Sequence, residues 1–489
     1  MDVQWMLSRR QFVGTLGVGA AGATVLGCLP AAPMPLPPSE MTSDINLRLL
    51  NRITFGPKTE DIARINEIGY EAFLEEQLSP ETMDDGEAEG RLFFLGSLNA
   101  DPQGLAGRNA NVVAGELIAA TTIRAVYSKR QLFERMVEFW TDHFSINQSA
   151  GNELRYLKTI DDREVIRTHA LRYFRELLRA SAKSPAMLLY LDNNSNVAGA
   201  PNENYAREAM ELHTLSVNGN YTQQDVEELS RALTGWTVVE EGRDRGRFIF
   251  RPENHDDGPK QILDLSLPAG GGIGDGELAL DYLARHPSTA SFIATKLVQR
   301  FISENAPDGL VSEVAKAFSD SDGDIRATLR VLLSQSAMAQ AGPKFKRPFH
   351  LYVDALRRVG ADLRIVPRLA RSMEIMGQVP FQWPAPNGYP DVATYWAPGL
   401  LSRWNFATNY SDGRLPEARI DPRQIADVNG VADPEGVVAL WDQMFFGSEM
   451  PDGLRQALLD YINEAPNDNR RKFAESFALA MSSPEFQWY

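Results

Sequence analysis

Apolar residues recur at helical spacing along almost the whole chain, and this periodicity limits the fold more than any other feature. In the first such segment they are Ile45, Leu47, Leu49, Leu50 and Ile53. Longer amphipathic segments follow at residues 112–127, 130–145, 163–181 and 185–191. Because this spacing gives each helix one apolar stripe to bury, the sequence predicts a mainly α-helical body.

A stretch of different periodicity interrupts the helices. Val238-Val239, Phe248-Ile249-Phe250 and Ile262-Leu263 are β-type runs separated by Gly, Asp and Asn. They predict a hairpin over residues 237–251, within a small β insertion at about residues 236–265. Helical spacing then returns, and no repeat of fixed period is present. We therefore predict a single helical domain over residues 43–489.

The N-terminus carries an export signal. Ser8-Arg9-Arg10-Gln11-Phe12-Val13 fits the twin-arginine pattern of exported proteins. The Gly/Ala-rich apolar run that follows has about 14 residues, too few to span a bilayer as a helix. Residues 1–27 are therefore predicted to be a signal peptide that is removed after export.

A lipid anchor is predicted directly after the signal peptide. Val25-Leu26-Gly27-Cys28 resembles the lipobox of bacterial lipoproteins, whose cysteine is acylated. Cys28 is the only cysteine, which excludes an intramolecular disulfide and a Cys-cluster metal site. The Pro-rich residues 28–42 predict an extended tether. Leu29 after the cysteine favours the outer over the inner membrane, so we expect a periplasmic protein bound to the membrane through lipid at Cys28.

The overall charge limits the ligands that the chain is expected to bind. The formal net charge is -16, whereas nucleic-acid affinity depends on Lys and Arg side chains that neutralise phosphates. A nucleic-acid partner is therefore not expected. A neutral or cationic ligand, such as a glycan, suits this body better than a free polyanion.

Residues 202–236 hold the densest group of polar side chains in the chain. They predict two helices joined by a Gly-containing turn, the second starting with a capping box at Thr222 and Asp225. On a wheel at 100° per residue, the first helix has one face with Asn204, Arg207, Glu208, Glu211 and Leu215. The opposite face has Ala206, Ala209, Met210, His213 and Val217. Since Glu211 and His213 point in opposite directions, this helix alone cannot hold a metal through both of them.

The polar face of the first helix is the predicted catalytic site. Paired carboxylates at Glu208 and Glu211, beside Arg207, are suited to serve as general acid and base or to bind a divalent cation. No metal or other cofactor is identified by the sequence itself. The alternative is a solvated strip in which Arg207 pairs with Glu203 or Glu211.

Five further residues are predicted to complete a binding site around that face. They are Asp192, Asn202 and Asn204 at its rim, and His255 and Asp256 closing it. The loop that leads into the helix is rich in Asp and Asn, which would offer oxygens to a cation or to glycan hydroxyls. The alternative is that these residues cap helices and form turns by bonding their own backbone.

Two histidines lie on apolar helix faces. His143 falls in a stripe with Phe139 and Trp140, and His213 lies on the apolar face of the central helix. We interpret both as core side chains whose ring N–H finds a backbone carbonyl or a carboxylate. The alternative is that the two faces meet and bring both imidazoles to one internal ligand or metal.

Several stretches resemble a known family. They are residues 201–215, 218–236, F-W-T-D-H-F-S at 139–145, L-L-Y-L-D-N at 188–193, H-D-D-G-P-K at 255–260 and H-P-S-T-A-S-F-I-A-T-K-L at 286–297. From about Leu47 to the C-terminus the chain resembles the bacterial domain-of-unknown-function 1800 family. The resemblance implies an exported protein of unassigned activity. Ser216 and Asn220 stand where the family usually has Gly.

The resemblance also implies a partner, since genes of this family often neighbour those of another exported family similar to sulfatases and alkaline phosphatases. Two hypotheses follow. The protein is an enzyme or a ligand-binding protein that uses the polar cluster of the 203–217 helix, or it is a non-catalytic envelope scaffold lipoprotein that docks a sulfatase/phosphatase-like protein. In the second hypothesis the same cluster serves as structural contacts. Whether the protein is an enzyme stays open at this point.

Overall fold

The computed structural model describes residues 36–38, 42–366, 369–464 and 469–489. Helices dominate this part of the chain, and two short antiparallel hairpins are the only sheets in it. The predicted fold class, mainly α-helical with a small β insertion, is therefore confirmed. The predicted signal peptide and Cys28 lie outside the described residues, as does most of the predicted tether.

The helices before the central segment are α1 Ile45–Ile53, α2 Thr59–Ile68, α3 Tyr70–Leu78, α4 Gly86–Leu92, α5 Pro102–Ala106, α6 Ala110–Tyr127, α7 Gln131–His143, α8 Leu154–Ile160, α9 Arg167–His169, α10 Phe174–Ala182 and α11 Pro185–Tyr190. A π-helix, Asp161–Ile166, joins α8 to α9. The central segment contains α12 (Asn204–Glu208), a second π-helix (Ala209–Thr214) and α13 (Gln223–Ala232). Short 3₁₀ turns lie at Pro80–Thr82, Asn193–Ser195, Pro252–Asn254 and Ala397–Gly399.

The helices after the β insertion are α14 Ile273–Arg285, α15 Pro287–Phe301, α16 Leu310–Asp320, α17 Ile325–Leu332, α18 Gln335–Ala339, α19 Pro348–Arg358, α20 Arg371–Met376, α21 Ala393–Trp396, α22 Leu400–Ser411, α23 Pro422–Val428, α24 Pro434–Phe446, α25 Asp452–Asn463, α26 Asn469–Ser482 and α27 Pro484–Gln487. Many helices begin at a proline, which fits the first turn because its missing N–H has no partner there anyway. No helix in the described ranges combines the length and hydropathy that a membrane span requires.

The β insertion consists of two hairpins. Strand β1 (Trp236–Val238) pairs with β2 (Phe248–Phe250), as predicted, and β3 (Lys260–Ile262) pairs with β4 (Leu265–Leu267). Leu263 was expected in a strand but lies in the turn of the second hairpin, with φ 51°. Its amide donates to Asp225 Oδ1 at 2.6 Å, so the second hairpin is fastened to the first turn of α13.

The single helix predicted over residues 163–181 is wrong. Regular helix ends at His169, and α10 starts at Phe174. Between them, Tyr173 forms a β-bridge with Asp324, and the amide of Phe174 donates to the carbonyl of Gly323 at 2.9 Å. A contact with a distant part of the chain therefore overrides the local helical pattern.

Two hydrophobic cores fill the helical body. The first is formed by residues between Leu49 and Met338, most of α6 excepted. The second combines α6 with α19 and the helices that follow it. Helix α7 buries Phe139 in the first core, whereas Glu138 on its other face forms ion pairs with Arg300 of α15 and with Arg347, directly before α19. Helix α7 therefore lies where the two cores meet.

Candidate functional site

The first helix of the central segment changes its winding at Glu208. Helix α12 passes into the π-helix, in which the amide of Leu215 donates to the carbonyl of Met210, five residues earlier, at 2.8 Å. The hydroxyl of Thr214 donates to the carbonyl of Ala209 at 2.6 Å. π-helical turns are rare and occur frequently at functional sites. The central helix is therefore locally irregular where its candidate carboxylates lie.

The helical wheel describes this helix correctly only up to His213. Ala209 and Met210 are buried on the predicted apolar face, but Leu215, placed on the polar face, is also buried, and Val217, placed on the apolar face, is 62% exposed. The winding is π-helical from Ala209 and the helix ends at Thr214, so an angle of 100° per residue misplaces the residues after His213.

Ser216, in the turn between the two central helices, adopts a glycine-like conformation. Ser216 has φ 74°, in the left-handed region that side chains with a Cβ disfavour. Its hydroxyl accepts a hydrogen bond from the amide of Asn218 at 3.1 Å, which partly offsets this strain. The turn between the two central helices is thus formed by a residue that carries a Cβ atom.

Arg207 forms a surface ion-pair strip on the polar face. Its Nη2 donates to Glu203 Oε2 and to Gln223 Oε1, both at 2.9 Å, and its Nη1 lies 3.8 Å from Glu211 Oε1. Gln223 Nε2 also donates to Glu203 Oε2 at 2.7 Å. These contacts are the i,i+4 pairing that the sequence left as an alternative, and they join α12 to the start of α13. Pairs of this kind each stabilise a helix by only about 0.2–0.5 kcal/mol.

Glu208 differs from its neighbours because its carboxyl group forms no hydrogen bond or ion pair within the described residues. Burial and the neighbouring Glu211 raise its pKa, against the opposing effect of Arg207. Two tyrosines lie beside the carboxyl pair. Burial and Glu211 raise the pKa of Tyr221 to about 12, and burial, with a smaller contribution from Glu208, raises that of Tyr190. The two carboxyl groups thus have different environments, one without a partner and one near the Arg207 guanidinium.

The loop before α12 brings the three predicted rim residues together. Asn202 Nδ2 donates to the carbonyl of Asp192 at 3.3 Å, and Asn204 Nδ2 donates to Asp192 Oδ2 at 3.5 Å. Asn202 Oδ1 accepts from the amide of Asn204 at 3.0 Å. Asp192 itself has φ 60°, a conformation that Asp tolerates better than most residues. The three side chains form one polar cluster at the start of α12.

Two other asparagines hold this loop in place. The buried Asn193 donates through Nδ2 to the carbonyl of Trp236 at 3.1 Å, and the buried Asn196 donates to the carbonyl of Ser230 at 2.8 Å. Asn196 Oδ1 accepts from the amide of Asn202 at 2.9 Å. These bonds satisfy buried backbone groups, so this half of the Asp/Asn-rich loop has a structural role.

His255 contacts residues outside the polar face. Its Nδ1 donates to the carbonyl of Thr234 at 2.9 Å, and its Nε2 lies 3.3 Å from Asp275 Oδ2. Lys260 Nζ donates to the same carboxylate oxygen at 2.6 Å. His255, Lys260 and Asp275 are all buried, and together they fasten the β insertion to α14.

Asp256 is held by α13. Arg231 donates to both of its oxygens, from Nε at 2.8 Å and from Nη2 at 3.1 Å, and lowers the pKa of Asp256 to about 2. Within the described residues, no hydrogen bond joins His255 or Asp256 to Glu208. The structure therefore brings the rim residues to the central helix but gives the two predicted closing residues other partners.

The two core histidines do meet. Their ring centroids are 6.0 Å apart, and His143 Nε2 donates to the backbone carbonyl of His213 at 3.1 Å. His143 Nδ1 accepts from Lys296 Nζ at 2.9 Å. Neither ring nitrogen of His213 has a partner in the described part of the chain. Burial, with a smaller effect of Lys296, lowers the pKa of His213 to about 3 and that of His143 well below its ordinary value, so both rings are neutral at pH 7.

The described residues contain no group of three or more His, Cys, Asp or Glu side chains that could hold a metal ion. A family model described as "Protein of unknown function (DUF1800)" matches residues 48–488. The chain belongs to the DUF1800 family. The predicted resemblance is therefore confirmed over almost the whole chain. No curated protein and no solved structure matched it, so a function for this DUF1800 protein has to be argued from its own residues.

Several family-like stretches of this DUF1800 protein converge on Lys296. The 139–145 stretch contributes His143, the central helix contributes the carbonyl of His213, and the 286–297 stretch contributes Lys296 itself. The loop 380–391 lies over the same place. Lys296 cannot be identified from the sequence, because an isolated lysine on an amphipathic helix gives no signal apart from the family-like pattern around it.

A glycine lets the 380–391 loop approach α7 closely. Gly388 has φ 74°, and a Cβ atom there would lie 2.0 Å from the carbonyl oxygen of Asp142. Ser145 Oγ donates to the carbonyl of Ala385 at 3.3 Å, and Tyr190 OH donates to that of Pro384 at 3.3 Å. The loop therefore spans from the end of α7 to Tyr190, the neighbour of Glu208. In the sequence, the many proline and aromatic residues at 380–390 are the feature that indicates a rigid loop here.

Proposed function

We propose that this protein is an exported, lipid-anchored component of the bacterial cell envelope that binds a neutral, hydroxyl-rich ligand, such as a glycan, beside Glu208. The twin-arginine pattern and the lipobox-like Cys28 support export and anchoring. Membership of a family of unknown function is compatible with this proposal and assigns no activity to it.

This proposal depends on one observation: two neighbouring carboxyl groups at the start of the π-helix have different environments. Glu208 has no partner in the described structure and a raised pKa, whereas Glu211 lies near Arg207 and Tyr221. Two neighbouring carboxyl groups in different environments can take different roles toward one ligand. The unpartnered carboxyl of Glu208 would form a hydrogen bond with one ligand hydroxyl, and the carboxyl of Glu211 would form one with another.

The rim residues support a ligand with several hydroxyls. Asn204 lies one turn before Glu208, on the same side of the helix, and it contacts Asp192. Amide and carboxylate oxygens at this position would extend the hydrogen bonding that starts at Glu208. An anionic ligand would gain less here, because Arg207 is already engaged by Glu203 and Gln223.

Paired variants test this proposal. We expect Glu208→Gln and Glu211→Gln to lose binding of neutral oligosaccharides in isothermal titration calorimetry, while circular dichroism shows an intact fold. Glu313→Gln, in the first turn of α16, is the matched control and should bind as the wild type does.

Reduced stability together with unchanged binding in both variants would count against the proposal. It would favour the alternative of a non-catalytic scaffold that docks a sulfatase/phosphatase-like exported protein. The ion-paired strip around Arg207 supports the scaffold alternative, because its contacts join α12 to α13. Turnover of any bound oligosaccharide that is lost in Glu208→Gln would extend the proposal to an enzyme.

A further inference from the structure

A pocket of about 200 Å³ opens between α7, α15 and the 380–391 loop. Helix α7 contributes Phe139 and Asp142, α15 contributes Lys296, and the loop contributes Trp383 and Asn387. Aromatic walls with a few converging polar groups are typical of sites for small molecules. The volume is below that of drug-sized sites, so it suits a smaller compound. Glu208 is not among the lining residues, so this pocket is distinct from the site proposed above.

The carboxylates at the pocket are already neutralised. Asp142 Oδ2 accepts from Arg300 Nη2 at 2.7 Å and from Arg347 Nη1 at 2.6 Å. Asp391 Oδ2 accepts from Arg300 Nε at 2.5 Å. Both arginines are almost fully buried. These acidic groups therefore leave little negative charge for a cationic ligand.

Positive charges exceed negative ones around the pocket. Ion pairs within 4 Å connect the carboxylates of Glu138, Asp142 and Asp391 with the cations Arg135, Arg300, Arg347 and Lys344. This network has one positive charge in excess, and Lys296 adds a second. The whole chain, in contrast, has a formal net charge of -16. The pocket is thus locally basic in an acidic protein.

Lys296 is the cation at this pocket that has no carboxylate partner within the described residues. Within the described residues, no carboxylate oxygen lies within 4 Å of its Nζ, and its one hydrogen bond goes to His143 Nδ1. Because His143 Nε2 donates to the carbonyl of His213, its Nδ1 is a neutral acceptor that cannot cancel the ammonium charge. Burial lowers the pKa of Lys296 to about 8, so the side chain is still mostly protonated at pH 7.

We propose that this pocket binds a small organic carboxylate, whose charged group pairs with Lys296 and whose apolar part lies between Phe139 and Trp383. A partly buried cation without a counter-ion is costly, and an anionic ligand would offset that cost. Trp383 Nε1 donates to Asn387 Oδ1 at 2.8 Å, which fixes the indole and leaves the Asn387 amide nitrogen as a second donor to the ligand.

A monoanion fits this pocket better than a phosphate. Phosphate recognition usually relies on the two-pronged guanidinium of Arg, and the guanidinium groups of Arg300 and Arg347 are occupied by carboxylates. A lysine offers a single point charge, which a carboxylate neutralises. The overall acidity predicted a neutral or cationic ligand, but at contact distance a local charge outweighs distant charges that salt screens.

Fluorine NMR on the full-length protein tests the proposal, with 4-fluorobenzoate as the probe and 4-fluorobenzyl alcohol as its neutral counterpart. We expect saturable binding of the acid, and weaker binding of the alcohol. Lys296→Met should raise the Kd of the acid by roughly tenfold or more. Lys296→Arg should retain part of the affinity, and Lys316→Met, at an exposed lysine of α16, should retain all of it.

A chemical measurement on the wild-type chain covers the case that Lys296→Met fails to fold. Acetylation at pH 8, followed by peptide mass spectrometry, should modify Lys296 more slowly when 4-fluorobenzoate is present, without a change at Lys316. Equal binding of acid and alcohol would overturn the proposal, as would absence of saturable binding, unchanged affinity in a folded Lys296→Met, or absence of protection. Loss of oligosaccharide binding in Glu208→Gln would leave this inference unaffected, because the two sites share no residue.

Discussion

Replacing Gly388 by alanine should detach the 380–391 loop from the end of α7. The added Cβ would lie 2.0 Å from the carbonyl oxygen of Asp142, whereas ordinary contacts of Cβ atoms lie between 3.4 and 4 Å. Either the loop or the end of α7 would have to move away from the other. Since α7 lies between two cores, we expect the loop to move.

The expected cost has two parts. The left-handed conformation at φ 74° costs a residue with a Cβ about 1–2 kcal/mol. Overpacking against the backbone of Asp142 adds typically about 1–3 kcal/mol. Alanine also reduces the entropy of the unfolded chain, which returns about 0.4–1 kcal/mol. The net loss for Gly388→Ala should therefore be about 3 kcal/mol.

Gly360→Ala is the matched control. Gly360 also has a left-handed conformation, φ 61°, but nothing lies within 4 Å of a Cβ added there. Both variants share the strain and the unfolded-state effect, so the difference between them isolates the close approach to Asp142. Urea denaturation should show Gly388→Ala to be less stable than Gly360→Ala by about 2 kcal/mol.

Limited proteolysis with chymotrypsin gives a second measurement of the same effect. A detached loop would expose the bond after Phe381, since Trp383 and Tyr389 are each followed by a proline that blocks cleavage. Gly388→Ala should therefore be cut after Phe381 under conditions that leave Gly360→Ala intact. Equal stability of the two variants, together with equal resistance of the loop, would refute the argument that Gly388 is required by its contact with α7.

Four further predictions concern other parts of the chain. Lys260→Met should cost about 3–5 kcal/mol in urea denaturation, because it leaves the buried carboxylate of Asp275 without its cation, and adding Asp275→Asn should recover part of this loss. Glu208→Gln should raise the free energy of unfolding at pH 7, and the gain should disappear in acid. Thr222→Ala should cost about 1 kcal/mol by removing the helix cap, whereas Thr222→Ser should cost much less. Cys28→Ser should release the protein from membranes in cell fractionation, and continued retention would contradict the lipid anchor.

The sign of the Glu208 effect follows from proton linkage. The pKa of Glu208 is higher in the folded than in the unfolded state, so the folded state binds this proton more tightly. Above both pKa values the carboxylate is ionised in both states and destabilises the folded one. Below both it is protonated in both, and the difference from Gln vanishes. A constant difference between wild type and variant from pH 3 to pH 7 would contradict the raised pKa.

Local patterns predicted local features well. The capping box at Thr222 is confirmed by the reciprocal bonds between Thr222 and Asp225, and the hairpin is confirmed by the pairing of β1 with β2. Both depend on residues close together in the chain. The helix expected over residues 163–181 failed for the opposite reason, since Tyr173 is pulled into a bridge with Asp324.

The candidate site was predicted only in part. The clustering of Asp192, Asn202 and Asn204 followed from their closeness in sequence. The π-helix after Glu208 could not be predicted from the sequence, because a helical wheel assumes regular winding and π turns give no periodic signal. The roles of His255 and Asp256 depended on Asp275 and Arg231, partners that spacing within one segment does not reveal.

By itself the sequence determined that this chain folds into a mainly helical body with a small β insertion, because the apolar period of each segment fixes which face it must bury. Tertiary structure alone decided which charges remain unpaired. Lys296 and His143 are 153 residues apart and meet only because α7 and α15 pack together. Which carboxylates already have arginine partners depends on the same packing, and so does the local excess of positive charge in a chain whose overall charge is negative.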